Sequence, residues 1–201
     1  MIYSLYCLHF PSFYVLSFSR ILFFSIVSGS KSVPSSLSTY DNITRKTMFN
    51  VLEAIEAKQK NNNDKTTRLP LAFVSAAEAG WTAVQFGAAV EQVAPGWLKK
   101  YLAAKRAVED RITASTAVRG VIYRPSLIWS WQKFDVLPLI PLFNLASAVG
   151  IPFVDKTVRV ETLAAAIVAG IENDLIAGVQ RYPEMEQLAA AYDAATTSTS
   201  T

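Results

Sequence analysis

Residues 119–130, RGVIYRPSLIWS, hold an apolar run that stops at Pro125. Val121, Ile122 and Tyr123 follow one another with no polar break, the pattern of a strand buried on both faces. Proline has no amide to offer a ladder, so the strand ends there. Strands buried on both faces belong to parallel sheets, and parallel neighbours need a long crossover between them. The chain ahead of residue 119 should therefore hold a helix, and before that another strand.

Both are legible. KKYLAAKRAVED (99–110) reads as a helix in which Tyr101, Lys105, Val108 and Ile112 share one face. LPLAFVSAA (69–77) is a second short apolar run, read as a buried strand, and a loop containing Gly80, Pro95 and Gly96 joins the two. Further back, YDNITRKTMFNVLEAIEAKQK (40–60) repeats apolar residues at Ile43, Thr47/Met48, Val51, Leu52 and Ile55, a helical period that ends in the polar run KQKNNNDKTTR. Alternating helix and strand with connections of this length predicts an α/β fold with a parallel sheet. Val160, Leu163, Ala164, Ile167, Val168 and Ile171 predict a later amphipathic helix, and LAAAYDAATTSTST (188–201) a frayed tail. No internal repeat is present.

The 201 residues are 51% hydrophobic and 17% charged, enough apolar material for one domain with a core. The net charge of +3 comes from cations scattered among acids, which argues against a phosphate-neutralising face and so against nucleic acid. Cys7 is the sole cysteine and His9 the sole histidine. That excludes disulfide frameworks, Cys/His zinc sites and Ser–His–Asp triads, and no metal site is expected.

Residues 1–38 differ from the rest, with no Asp or Glu before Asp41 and a strongly apolar FYVLSFSRILFFSIVSG (13–29). A membrane span needs about 20 apolar residues, and Pro11 and Arg20 interrupt this run. A secretory signal wants an early basic region, which is missing; an organelle transit peptide is acid-free and serine-rich, as here, but carries more arginine. A core or edge strand, and a start site placed elsewhere, complete the readings.

The Tyr101/Lys105 pair has two readings. An ammonium one turn from a phenol lowers the phenol's pKa and can hold a ribose hydroxyl, the chemistry that a carbonyl reductase needs of its proton donor. Otherwise Tyr101 packs on the sheet while Lys105 reaches out to solvent.

A strand ending in FVSAAE, then YLAAKRAVE, then VIYRPSLIW, resembles the short-chain dehydrogenase/reductases of the extended and atypical kinds. In those families the Tyr-x-x-x-Lys helix leads to a strand carrying an Arg-Pro pair, here Arg124-Pro125. VRVETLAAAIVAGI is similar to the family's Val-x-Val-x-x-Val-Ala helix, with Val158, Val160, Leu163 and Ala164 in register. The branch it looks most like contains a complex I accessory subunit and mitochondrial relatives linked to ubiquinone synthesis. The resemblance runs from about Tyr40 to Leu188. It implies a partial doubly wound, Rossmann-like parallel sheet over 39–188, a small C-terminal helical region on the substrate side, and a tail over 189–201. It also implies an NAD(P) cofactor and oxidoreductase activity in quinone or respiratory metabolism, in the mitochondrion or a plastid. By that resemblance Tyr101 protonates the substrate oxygen, Lys105 supports it and binds the nicotinamide ribose, and Ser75 or Asn42 orients the carbonyl. Arg124, Pro125 and Ser126 lie on the cofactor side, and Trp129 and Trp131 either floor a substrate pocket or are plain core.

The chain departs from the family in three ways. A dinucleotide site needs clustered glycines so that backbone amides can approach the pyrophosphate, and none of the 8 glycines lies within three residues of another. The family's Gly-rich strand–turn–helix has no counterpart, and ILFFSIVSG (21–29) stands where its fourth strand would be. Ser75 occupies the first place of Ser75-Ala76-Ala77, where the family's hydroxyl comes later, and on the preceding helix Thr44 stands where many relatives carry Asn. NAD(P) binding is thus expected to be weak or absent. The alternative function is a non-catalytic scaffold or assembly subunit, with residues 10–30 forming an exposed strand edge that meets a protein partner or a membrane surface.

Overall fold

The two apolar runs that anchor the sequence reading are neighbouring strands in the computed structural model, which describes residues 14–18, 21–25, 39–61, 68–131, 139–149 and 154–199. In chain order the first elements are β1 (Tyr14–Phe18), β2 (Ile21–Ser25), a π-helical stretch (Asp41–Lys46), α1 (Thr47–Asn61) and β3 (Leu69–Val74). A 3-10 helix (Ala77–Ala83), α2 (Gly87–Val93), α3 (Gly96–Ala114) and β4 (Val118–Tyr123) follow. The remainder is β5 (Ile128–Trp129), α4 (Leu139–Ala148), β6 (Val158–Arg159), α5 (Val160–Glu172), β7 (Gly178–Gln180) and α6 (Tyr182–Thr199). The protein is thus mixed α/β, mostly helical, with small parallel sheets.

The chain divides into two compact units, Met1–Val74 with Pro95–Val121 and Ser75–Ala94 with Ile122–Thr201. The division falls at the end of β3 and inside β4. Local sequence patterns carry no mark of such a boundary.

In the first unit the strands run β1-β2-β3-β4. β2 pairs parallel with β3, Leu22 opposite Leu71 and Phe24 opposite Phe73. Leu69 N donates to Ala117 O at 3.0 Å at the start of β3 and β4. Strands expected near 21–28, 69–75 and 119–125 are therefore adjacent in that order. The exposed edge expected at ILFFSIV does not follow, because β1 pairs antiparallel with β2, Tyr14 opposite Ser25 and Phe18 opposite Ile21. Two residues separate Phe18 from Ile21, and an antiparallel return needs no more. The rest of the 10–30 segment lies outside the described residues.

Two helices cover β3 and β4 in this unit. Along α1 and its π-helical start, Thr44, Met48, Leu52 and Ile55 are buried, a spacing of four, four and three that makes one stripe. On α3 the buried stripe is Leu102, Lys105, Val108, Glu109 and Ile112, with Ala104 beside it. Arg111 clips the two helices together, donating to both carboxylate oxygens of Glu56 at 2.8 and 2.6 Å, while Ser115 Oγ donates to Glu56 at 2.7 Å. Arg111 first, and Ser115 with it, holds the Glu56 carboxyl below its usual range.

The second unit holds the 3-10 helix and α2 where a loop was expected, and the C-terminal helices. α5 packs on α6. Its buried residues are Leu163, Ala166, Ile167, Gly170 and Ile171, so the stripe is turned about one residue from the expected one and leaves Ala164 and Val168 exposed. Tyr123 Oη donates to Ala166 O at 3.0 Å and fixes α5 to the end of β4. The tail expected from residue 189 is helical to Thr199, with Met185 and Ala189 buried. Its alanines favour helix, and Thr196 and Thr197 donate to the carbonyls of Tyr192 and Asp193 one turn back.

Close approach of α3 to β4 depends on Gly120, where an added Cβ would lie 2.2 Å from Ile112 Cγ2. Gly120→Ala should therefore lose about 1–3 kcal/mol of stability. Ile112→Ala should partly rescue it, so urea denaturation of the two single variants and the double variant should give a non-additive cycle; additive losses would mean that the two sites do not meet.

Candidate functional site

Lys105 is a buried, constrained cation of the first unit. Its side chain is 4% exposed, and Nζ donates to the carbonyl of Val74, the last residue of β3, at 2.7 Å. The same nitrogen lies 4.8 Å from the centre of the Phe73 ring and 5.5 Å from that of Tyr101, within cation–π range of both. Burial lowers its pKa to about 8, against a rise from Glu109 one turn on, itself buried. The spacing i, i+4 brings Tyr101 and Lys105 together as expected, but the ammonium faces the phenol's ring and an apolar sheet end, not solvent. Tyr101 is half-buried, and Tyr40 meets it edge-on at 5.4 Å between ring centres. A buried, rigidly held cation beside a partly exposed phenol is an arrangement that can support proton donation.

Of the other expected site residues, Ser75, Arg124, Pro125 and Ser126 lie in the second unit and Asn42 in the first. Ser75 N donates to Tyr123 O at 2.7 Å and Ala77 N to Pro125 O at 2.9 Å, so Ser75-Ala76-Ala77 is laced to the segment carrying Arg124 and Pro125. Ser75 is 4% exposed and its Oγ has no hydrogen-bond partner. Pro125 is fully buried, Arg124 and Ser126 are partly exposed, and Arg124 N donates to Gln180 O at 2.9 Å. An added Cβ at Gly80 would lie 3.1 Å from Arg124 Nη1, so the guanidinium runs over the 3-10 helix. Trp129 and Trp131 stack edge to face at 5.1 Å, but Trp131 is 60% exposed, so the pair is not core. Thr44 is buried in the π-helical stretch, while Asn42 is half-buried and its carbonyl accepts from Thr47 Oγ1.

A cavity of about 540 Å³ opens in the first unit between the π-helical stretch and α3, lined by Tyr40, Asp41, Arg45, Lys100, Ala103 and Ala107 among others. Neither Tyr101 nor Lys105 lines it, and Arg45 is already paired with Asp41. Among the described residues no three His, Cys, Asp or Glu side chains are grouped to hold a metal ion.

Four groups were not singled out from the sequence: Phe73, the Val74 carbonyl and Glu109 around Lys105, and Glu78 in the second unit. Glu109 was open to view in KRAVE, four residues beyond Lys105. Burial pushes the Glu78 carboxyl up, against a backbone hydrogen bond that lowers it, and the charge of Asp155 adds to the rise. No local pattern signals that burial. No protein-family model, curated protein or solved structure matches the chain.

Both Lys105 and Ser75 burden the fold. The unfolded lysine holds its proton up to pH 10.5 and the folded one to about 8, so between these values the unfolded chain binds more protons and stability rises with pH. Below pH 8 the burial costs on the order of 3 kcal/mol. Lys105→Met should therefore be more stable than the parent at pH 7, with the difference vanishing by pH 10.5 in urea titrations. A variant less stable at pH 7 would make the lysine a structural tie. Ser75→Ala should be neutral or slightly stabilising, since it removes a buried hydroxyl with no partner.

Proposed function

We propose that the chain is a short-chain dehydrogenase/reductase-like protein of Rossmann type, in which Tyr101 donates the proton to a substrate oxygen and Lys105 is its electrostatic partner. The observation that carries this reading is the buried Lys105 ammonium, held by the Val74 carbonyl beside the Tyr101 ring at a cost to stability. An apolar residue would serve the fold better there. The adjacency of β2, β3 and β4 supports it as well, since strands four, five and six of a doubly wound sheet are neighbours. The orienting role of Ser75 or Asn42 and the cofactor-side roles of Arg124, Pro125 and Ser126 rest on the resemblance, as do the mitochondrial setting and the link to quinone or respiratory metabolism.

The residues present do not fit a whole dinucleotide. Gly80 lies against Arg124, an added Cβ at Gly120 meets Ile112, and no two glycines of the sequence are close enough to cradle a pyrophosphate. What the chain's own groups can do is donate a proton from the Tyr101 hydroxyl to a developing oxyanion, with the Lys105 charge stabilising the phenolate left behind.

A second reading, a scaffold that keeps the fold without turnover, is favoured by one specific feature. Lys105 Nζ is already committed to a backbone carbonyl, which leaves it less able to hold a ribose.

Titration calorimetry separates the two. NADH and NADPH should bind no tighter than about millimolar, and nicotinamide mononucleotide should bind as well as NADH, because the adenylate half finds no cradle. Micromolar NADH binding would overturn that claim. Against a panel of quinones and small carbonyl compounds, Tyr101→Phe should abolish reductase turnover while leaving stability within about 0.5 kcal/mol of the parent. Full turnover in Tyr101→Phe, or none in the parent, leaves the scaffold.

A further inference from the structure

The cavity of about 540 Å³ lies wholly within the first unit, and its size is that of a small-molecule site. One wall is a row on α3, where Lys100, Ala103, Ala104 and Ala107 fall at i, i+3, i+4 and i+7 on a single face. Three methyl groups in place of longer side chains leave room against the helix. The other wall, Tyr40, Asp41 and Arg45, comes from the π-helical stretch and the residue before it. π-Helical turns are rare and recur at functional sites.

Arg45 is pre-organised in that wall. Its Nε donates to Asp41 Oδ1 and its Nη2 to Asp41 Oδ2, the second at 2.9 Å, and its guanidinium carbon lies 5.6 Å from the centre of the Phe49 ring. A carboxylate along one edge and a ring against it fix the group. Those bonds use two of the five N–H donors, and the end formed by Nη1 and Nη2 keeps a fork that matches a second carboxylate. Asp41 offsets one positive charge, and Lys46 Nζ lies 4.0 Å from its Oδ2. Lys100, exposed and without a hydrogen bond or ion pair among the described residues, leaves the cavity a cation to spare. Tyr40 lines the same space, and the edge-on Tyr101 ring steadies it. A purely apolar ligand would leave the fork and the ammonium unused, and a bare inorganic anion would leave the alanine methyls and the Tyr40 ring unused. An anion on a flat apolar body uses both.

We propose that this cavity is a binding site for a small aromatic carboxylate, its carboxylate taken by the Arg45 fork and Lys100 and its ring lying on Ala103 and Ala107 beside Tyr40. The site is separate from the proton-donor reading of Tyr101, and its test reads binding, not turnover.

Equilibrium dialysis of the full chain against 2-naphthoate, with 2-naphthamide as the uncharged counterpart, tests this. The parent should bind 2-naphthoate with a Kd below about 0.1 mM and 2-naphthamide at least about tenfold more weakly. Ala103→Leu, which fills the cavity from an exposed position, should abolish binding while keeping the circular dichroism of the parent. Lys100→Ala should weaken binding about fivefold, and Arg45→Lys, which keeps the charge and loses the fork, about tenfold. A parent that takes up no 2-naphthoate, or takes up the amide as readily as the acid, overturns the proposal. So does an Ala103→Leu variant that binds like the parent, which places the probe elsewhere, or a dimer in solution that Ala103→Leu dissociates, which makes the alanine row a contact with a second copy.

Discussion

The hydrogen bond from Lys105 to the Val74 carbonyl is the contact on which the rest of the first unit's chemistry depends. A lysine among Phe73, Tyr101 and the sheet end has given up its water, and a single carbonyl, two ring faces and the neighbouring Glu109 replace it only in part. The deficit appears as a pKa of about 8. α3 must lie close on the sheet for this to happen, and Gly120 under Ile112 is what permits the approach.

The second unit carries a deficit of a different kind. The main chain of Ser75 is held by its own backbone bond to Tyr123 and by that of Ala77 to Pro125, while its buried hydroxyl has no hydrogen-bond partner. Glu78, three residues on in the 3-10 helix, has its carboxyl raised by burial. A buried cation, a buried orphan hydroxyl and a desolvated acid are each unfavourable to folding, and folds tolerate such groups where chemistry or binding uses them. At the other end of α3, Glu56, Arg111 and Ser115 satisfy one another instead.

The fold shows how an apolar strand near the N-terminus is accommodated. β2 would be a template for foreign strands if it stood at the edge, and β1 turns back to pair with it. Among the described residues, Leu142 and Leu145 on α4 and Val149 just after it are exposed, as are Phe86, Val93, Trp97 and Leu175 elsewhere.

Sequence alone determined the helices and strands whose apolar residues recur with a clear period. Met48, Leu52 and Ile55 named the buried side of α1, and unbroken apolar runs named β3 and β4 with their parallel relation. It also placed Tyr101 and Lys105 one turn apart, because helical geometry is local. What it left open depends on neighbours distant in the chain. Whether Lys105 reaches solvent or lies buried is decided by Phe73 and Val74, some thirty residues away along the chain. The stripe of α5 is set by what packs on it, so Ala166 and Gly170 lie inside while Ala164 and Val168, equally apolar in period, lie outside. The helix beyond residue 188 and the return of β1 onto β2 are likewise decided by packing and strand pairing, which no window of local sequence contains.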